Sequence, residues 1–351
     1  MESADFVFNS YDENSYENSF YNNSETIGEE VSFVVPTTKC FTQVMCLFLL
    51  VVNVIVFLLG IGGNGVVIWI AGFAMKKSVN TTWYLSLAVS DFIFCSCLPF
   101  NIVYSVMPDW IFGLFMCKFT SFVMFLNMFS SIFLLVIMSA DRCVSVMFPV
   151  WAQNHRTIGK ALLMIVLAWV VSAALSIPSM VYRDVQNHLG TNRCMNTYTS
   201  PYTHETIALS RFIFGFVIPF LLIIVSYTII ICRLRASHMT KSSKPFKIMT
   251  VLILTFFLCW LPYHTFVLIE LYHSSNLNEV VTHGLRIGTT VATANSFLNP
   301  VLYAFMGNDF RKNFKSSILS KIENAIGEEG RTMSRYLSRS SSVDARASTH
   351  I

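Results

Sequence analysis

Asp91 is the only charged residue between Lys77 and Asp109. The stretch around it is apolar and long enough to cross a hydrocarbon core, which takes roughly 20 helical residues. An ionisable group at such depth is costly and marks a functional position. Two readings are open for it. One is a carboxyl kept neutral by burial and hydrogen bonds. The other is a cation site, because Asn64, Asn127, Ser131, Asn295 and Asn299 offer oxygens at similar depth on other apolar stretches. A small hard cation takes such oxygens, and without a dense carboxylate cluster sodium is the expected ion. No other cofactor is implied.

A second group of residues has the makings of a switch rather than a reaction centre. Asp141-Arg142-Cys143 ends one charge-free stretch and opens a basic connection, where an Asp–Arg pair can be held in one of two arrangements. Cys259-Trp260-Leu261-Pro262 and Asn299-Pro300-Val301-Leu302-Tyr303 each place a proline inside an apolar run, predicting a kink where a backbone hydrogen bond is lost. An enzyme is not expected.

The elements that must position these residues are membrane helices. Of the 351 residues 54% are hydrophobic and 13% charged, and the mean hydropathy is +0.57; soluble domains carry about 25% charged residues. Stretches free of Asp, Glu, Lys and Arg run from Lys39 to Lys76, Lys118 to Asp141, Lys160 to Arg183, Arg211 to Arg233, Lys247 to Glu270 and Arg286 to Asp309. With the Asp91 stretch they make seven spans. Continuous apolar runs favour helices over the alternating strands of a barrel. Lys and Arg gather in the first, third and fifth connections, which places these in the cytoplasm and the N-terminus outside. The first 38 residues hold eight acids and no Lys or Arg, and Asn22-Asn23-Ser24 is an externally placed glycosylation sequon. Asn80-Thr81-Thr82 matches the sequon too but falls on the cytoplasmic side. Cys117 and Cys194 lie in outer connections, where oxidising conditions favour pairing. Cys95, Cys97, Cys143, Cys232 and Cys259 read as buried thiols, and Cys40 has no evident partner.

The expected architecture is an all-α membrane protein, a seven-transmembrane helix bundle with a short amphipathic eighth helix. Residues 1–39 form an acidic extracellular N-terminus and 40–306 the membrane domain. Residues 307–320 form the amphipathic helix, with Phe310 and Phe314 four apart among cations, and 321–351 a disordered cytoplasmic tail. A membrane location leaves no role for nucleic acid. A transporter or channel is a competing class, but neither internal repeats nor broken helices are evident.

From about residue 40 to 320 the chain resembles the rhodopsin-like family of G-protein-coupled receptors. The matching pieces are GGNGVVIW, LSLAVSD, WIFGLFMCK, DRC, CWLP and NPVLY. PVWAQNHRT and KPFKIMTVLILTFFLCWLPYHT further resemble the chemoattractant branch. The second block, with YRD and ANSFLNPVLYAFMG, is most similar to the chemerin receptors, whereas PVWAQNHRT is shared with formyl-peptide receptors. The resemblance implies a plasma-membrane receptor for a peptide or protein agonist, chemerin or one like it. It also implies an inhibitory-class G protein, arrestin and membrane lipids as partners. Arg183 at the end of the fourth span, Arg211 at the start of the fifth and Glu270 on the sixth match ligand-pocket positions. An Arg in a partly dry pocket suits capture of a carboxylate. Ligand contacts there are implied to bias packing around Trp260 and Phe256. The sixth helix then swings out, Arg142 is freed, and the Asp91 site collapses. A formyl-peptide-type or lipid-mediator receptor, or a ligand-scavenging receptor that couples weakly, are alternatives. The absence of an Asp in SFVMFLNMF, and of a Lys between Arg286 and Asp309, excludes the amine-receptor and retinal-pigment patterns.

Overall fold

The computed structural model describes residues 7–8, 44–107, 109–188, 190–236, 244–272 and 278–306. Long helices follow the apolar runs because a backbone surrounded by lipid must satisfy its N–H and C=O groups internally. They are α1 (Val44–Trp69, prolonged by a π-helical turn Ile70–Ala74), α2 (Val79–Val106) and α3 (Gly113–Met147). A short α4 (Pro149–His155) precedes α5 (Ile158–Val181). Then come α6 (Pro201–Phe212), a π-helical turn Ile213–Val217, and α7 (Ile218–Ala236), which together make one traverse. The last two are α8 (Lys244–Tyr272) and α9 (Asn278–Met306).

Among the described residues, six traverses are long and apolar enough to cross a bilayer on composition alone. The seventh, α9, is diluted by residues it presents to the interior: Thr290, Thr293, Asn295, Ser296 and Asn299 are all buried. The Asn22 sequon, the 307–320 segment, the 321–351 tail and Cys40 lie outside the described residues. Cys46 on α1, a position the sequence did not single out, is disulfide-bonded.

The ends of the helices follow from local chemistry. Ser78 and Thr81 form a reciprocal capping box at the start of α2, with the Thr81 N–H donating to Ser78 Oγ at 3.2 Å and the Ser78 N–H to Thr81 Oγ1 at 2.8 Å. Thr157 and Ser200 accept from the backbone N–H groups of Lys160 and Thr203 at the starts of α5 and α6. α3 runs through the middle of the bundle, where its buried Phe125, Met128, Phe129, Ile132, Leu135 and Met138 meet Leu87, Leu252, Phe256 and Trp260.

Alongside the helices there is a small antiparallel sheet that the apolar pattern did not anticipate. Strands β2 (Arg183–His188) and β3 (Thr191–Thr197) form a hairpin, turning at Gly190 with φ +82°, and β1 (Val7–Phe8) pairs with β3. The hairpin is fixed to the top of α3 by the Cys117–Cys194 disulfide, Cα–Cα 5.7 Å. Two positions are corrected by this arrangement. α5 ends at Val181, so Arg183 opens a strand instead of closing a helix; Arg211 lies in the third turn of α6, not at its start. The first shift arises because the charge-free stretch runs past the helix end, the second because the polar outer turns of α6, Pro201 to Ser210, were left out of the span. Cys232, read as buried, is exposed on α7, whereas Cys95, Cys97 and Cys259 are buried.

Both prolines of the sequence motifs sit against a glycine. A Cβ at Gly288 would lie 2.9 Å from the Tyr263 backbone and 3.1 Å from the Pro262 carbonyl carbon, and one at Gly63 would lie 2.9 Å from Pro300 Cγ. Gly288→Ala forces two backbones apart and is expected to cost about 1–3 kcal/mol. Reduced surface expression and a lower melting temperature in detergent check this; wild-type values for both would refute the close packing.

Candidate functional site

At the cytoplasmic end, the Asp141 carboxylate is held by a residue that the Asp-Arg-Cys motif did not suggest. Arg156, just after α4, donates from Nε to Oδ1 at 2.7 Å and from Nη2 to Oδ2 at 2.8 Å. This bidentate ion pair replaces the expected pairing of Asp141 with Arg142. The reason is helical geometry: adjacent residues point to different faces and do not meet. The Arg142 guanidinium instead donates to Asn80 Oδ1 in the first turn of α2, and Arg156 Nη2 donates to the same oxygen. Tyr84 and Tyr227 lie within electrostatic range of Arg142. Asn80 drew notice in the sequence only as an unusable sequon; its neighbours in sequence give no sign of the two cations it serves.

In the centre of the bundle Asp91 is fully buried, and both its oxygens accept hydrogen bonds. Asn127 Nδ2 on α3 donates to Oδ1 at 2.9 Å, and Asn299 Nδ2 on α9 donates to Oδ2 at 2.8 Å. These two asparagines therefore meet the carboxylate through their amide N–H groups. Asn127 also donates to Ser90 Oγ and accepts from Ser296 Oγ, while Ser90 and Ser130 share a 2.6 Å hydrogen bond. Asn64 Nδ2 donates to the Gly60 and Ser296 carbonyls. Of the eight buried polar side-chain atoms without a partner among the described residues, four belong to this group of motif residues: Asn64 Oδ1, Ser131 Oγ, Asn295 Nδ2 and Trp260 Nε1. Leaving such atoms unpaired costs about 1–3 kcal/mol each. Two of the four, Asn64 Oδ1 and Ser131 Oγ, are oxygens of the kind a small hard cation takes. Among the described residues, no cluster of three or more His, Cys, Asp or Glu could hold a metal ion.

Towards the outer end, Trp260 packs between Phe256 (centroids 6.0 Å) and Tyr263 (5.8 Å). Above it the Arg211 guanidinium lies 3.7 Å over the Phe125 ring and donates from Nη2 to Ser179 Oγ at 2.9 Å. Arg183 donates from Nη1 to Asn196 Oδ1 at 3.1 Å, across the hairpin. Nearby, Asp184 accepts from the Val185 N–H and Glu205 from the Tyr272 hydroxyl. Tyr198 lies on the connection between β3 and α6. Burial pushes its hydroxyl above the usual range, Arg211 and Arg183 and a hydrogen bond from Arg211 pull it down, and Glu270 raises it further. Arg183, Arg211 and Glu270 are thus all within electrostatic range of this phenol, and Arg211 is hydrogen-bonded to it. Tyr198 and Ser179 carry no sequence signal, being an ordinary loop Tyr and a helical Ser. Pro300 lies in α9 with Asn299, as does the backbone of Tyr303, whose side chain is outside the described residues.

A membrane bundle with a disulfide-anchored outer hairpin, a buried carboxylate at its centre and a restrained cytoplasmic arginine is the form of a seven-helix receptor. The chain belongs to the rhodopsin family of seven-transmembrane receptors, whose domain it matches over residues 63–303. It is 43% identical over 335 residues to the human chemerin-like receptor 1, covering 88% of this chain and 90% of that protein. The fMet-Leu-Phe receptor of Macaca mulatta is 39% identical over 294 residues, covering 78% and 85%. The C3a anaphylatoxin chemotactic receptor of Danio rerio is 39% identical over 287 residues, covering 82% and 79%. The protein is therefore a multi-pass membrane receptor of the chemoattractant branch, related to the chemerin receptors, with a G protein and an external ligand as partners; it is not an enzyme.

The cytoplasmic network yields an expected outcome. Replacing Asn80 by Ala removes the acceptor shared by Arg142 and Arg156, and is expected to raise ligand-independent signalling about 2- to 10-fold, the span of one ordinary hydrogen bond. Basal cAMP or nucleotide exchange at matched surface expression reads this; basal output equal to wild type would mean that Asn80 does not restrain Arg142.

Proposed function

We propose that this receptor resides in the plasma membrane with its acidic N-terminus outside. There it reports a chemerin-like protein or peptide to a G protein of the inhibitory class. The observation that carries the reading is the outer pocket: Arg211 presents an unpaired Nε within a dry aromatic setting, with Arg183 and Glu270 within electrostatic range of the same Tyr198. A guanidinium so placed offers a charged donor to a carboxylate, such as the C-terminus of a peptide entering the bundle. Two arginines and one acid leave the pocket net positive, which suits an acidic chain end.

Movement of ligand against Arg211 is passed to Tyr263 and Trp260 through Phe125, which stacks under Arg211 and lies 6.3 Å from Tyr263. Trp260 and Phe256 then repack, α8 moves outward, and Arg142 leaves Asn80 for the G protein. The agonist drives this only by its greater affinity for the open state. At the centre, Asp91, Ser131 and Asn295 would hold a sodium ion, with Asn127 and Asn299 orienting the carboxylate. The ion would supply a positive charge that favours the closed packing. Inside the cell, Ser338, Ser340, Ser341, Ser342, Ser348 and Thr349 are the proposed phosphorylation positions for arrestin.

The similarity to the fMet-Leu-Phe receptor supports a second reading in which the agonist is a formylated peptide. Transfected cells treated with chemerin and with formyl peptides separate the two. Chemerin is expected to lower cAMP in a pertussis-toxin-sensitive manner, and Arg211→Ala to raise the half-maximal concentration at least about tenfold. Silence to chemerin beside a response to formyl peptide overturns the chemerin reading. A separate measurement addresses the ion: Asp91→Asn is expected to abolish the sodium sensitivity of agonist binding, and full retention of it would remove the cation from the scheme.

A further inference from the structure

His264 lies one helical turn beyond Trp260 on α8 and is only 2% exposed, yet its Nε2 has no hydrogen-bond partner among the described residues. The ring is walled by aromatic groups, with centroids at 5.6 Å from Phe212, 5.3 Å from Phe216 and 5.4 Å from Tyr263. The Phe212 and Phe216 rings supply no strong acceptor. Arg211 lies within electrostatic range of the ring, and its Nε is likewise buried and unpartnered. Two helices therefore contribute two unsatisfied nitrogen groups to the same apolar surroundings. Buried polar atoms in native proteins have partners in the great majority of cases, so a paired vacancy of this kind points to a bound group. The partner must be rich in acceptors, since Arg211 only donates and the tautomer of His264 with its proton on Nε2 donates there too. A carboxylate is acceptor-only, carries the charge that matches Arg211, and has two oxygens to divide between two donors.

We infer that His264 Nε2 and Arg211 Nε form a two-donor floor for the terminal carboxylate of a peptide agonist, with His264 reading the second oxygen. The inference rests on the proposed peptide-receptor reading and deepens it. Arg211 supplies charge from α6; His264 supplies a donor from α8, the helix that carries Trp260. Engagement of both oxygens therefore links the ligand's end directly to α8, and a C-terminal amide, which puts N–H groups where an acceptor is needed, is penalised at His264 as well as at Arg211.

The test uses a synthetic peptide carrying the C-terminal segment of chemerin, as the free acid and as the C-terminal amide. Both are bound to membranes of cells expressing the full-length receptor, with surface expression measured in parallel. His264→Phe keeps an aromatic ring of similar size but has no donor; His264→Gln restores one. Wild type is expected to prefer the acid. His264→Phe should weaken acid binding about 10- to 100-fold, the range of one hydrogen bond to an ionised group, and leave amide binding within about twofold. His264→Gln should recover most of the preference. Equal weakening of both peptides by His264→Phe overturns the inference in favour of a packing role, as does no change in either. If neither peptide binds wild type, the chemerin-type reading fails and this inference falls with it; an unchanged His264→Phe beside a tightly bound acid overturns the inference alone.

Discussion

Lipid cannot pair with a polar group, and this one constraint organises the molecule. A polar side chain carried into the bilayer is satisfied within the protein, by a carbonyl of its own helix or by a partner on another. The Asp91 carboxylate meets the demand by accepting from α3 through Asn127 and from α9 through Asn299. Three helices are thereby tied at one depth by a group that none could bury alone. The same demand explains why α9, the traverse of lowest apolar character, still belongs in the bundle: its polar face is spent on this interior network and not on lipid.

What was legible in the sequence follows from the same physics. Charge-free stretches are imposed by the bilayer, so the spans and their order could be read from single residues. Asp91 stood out because a carboxylate within an apolar stretch has no cheap explanation. The partners were harder. Asn127 and Asn299 were expected as oxygen donors, and the structure turns their N–H groups to the carboxylate. Asp141 and Arg142, neighbours in sequence, proved to serve different partners, and Arg156 entered from the far side of a connection. Asn80 and Tyr198 were invisible, because an Asn in a helix start and a Tyr in a loop acquire meaning only from what folds against them.

The outer pocket shows how a receptor builds precision from unlike parts. Arg211 is held by a regular helix, resting on Phe125 and bonded to Ser179. Arg183 is held by a strand whose partner Cys194 is fastened to α3. The disulfide therefore does more than stabilise: it sets the position of Arg183 relative to the helix that carries the Asp141–Arg142 motif.

The seating of Pro262 against Gly288 has a mechanical consequence. Where two backbones touch with no side chain between them, there is little to compress, and α8 at that height behaves as a rod resting on a fulcrum. Glu270 lies about 12 Å along the helix to one side and Ile248 about 21 Å to the other, at 1.5 Å per residue. A tilt about this point displaces the Ile248 end nearly twice as far as the Glu270 end. The gain is fixed by how far along the helix the proline stands.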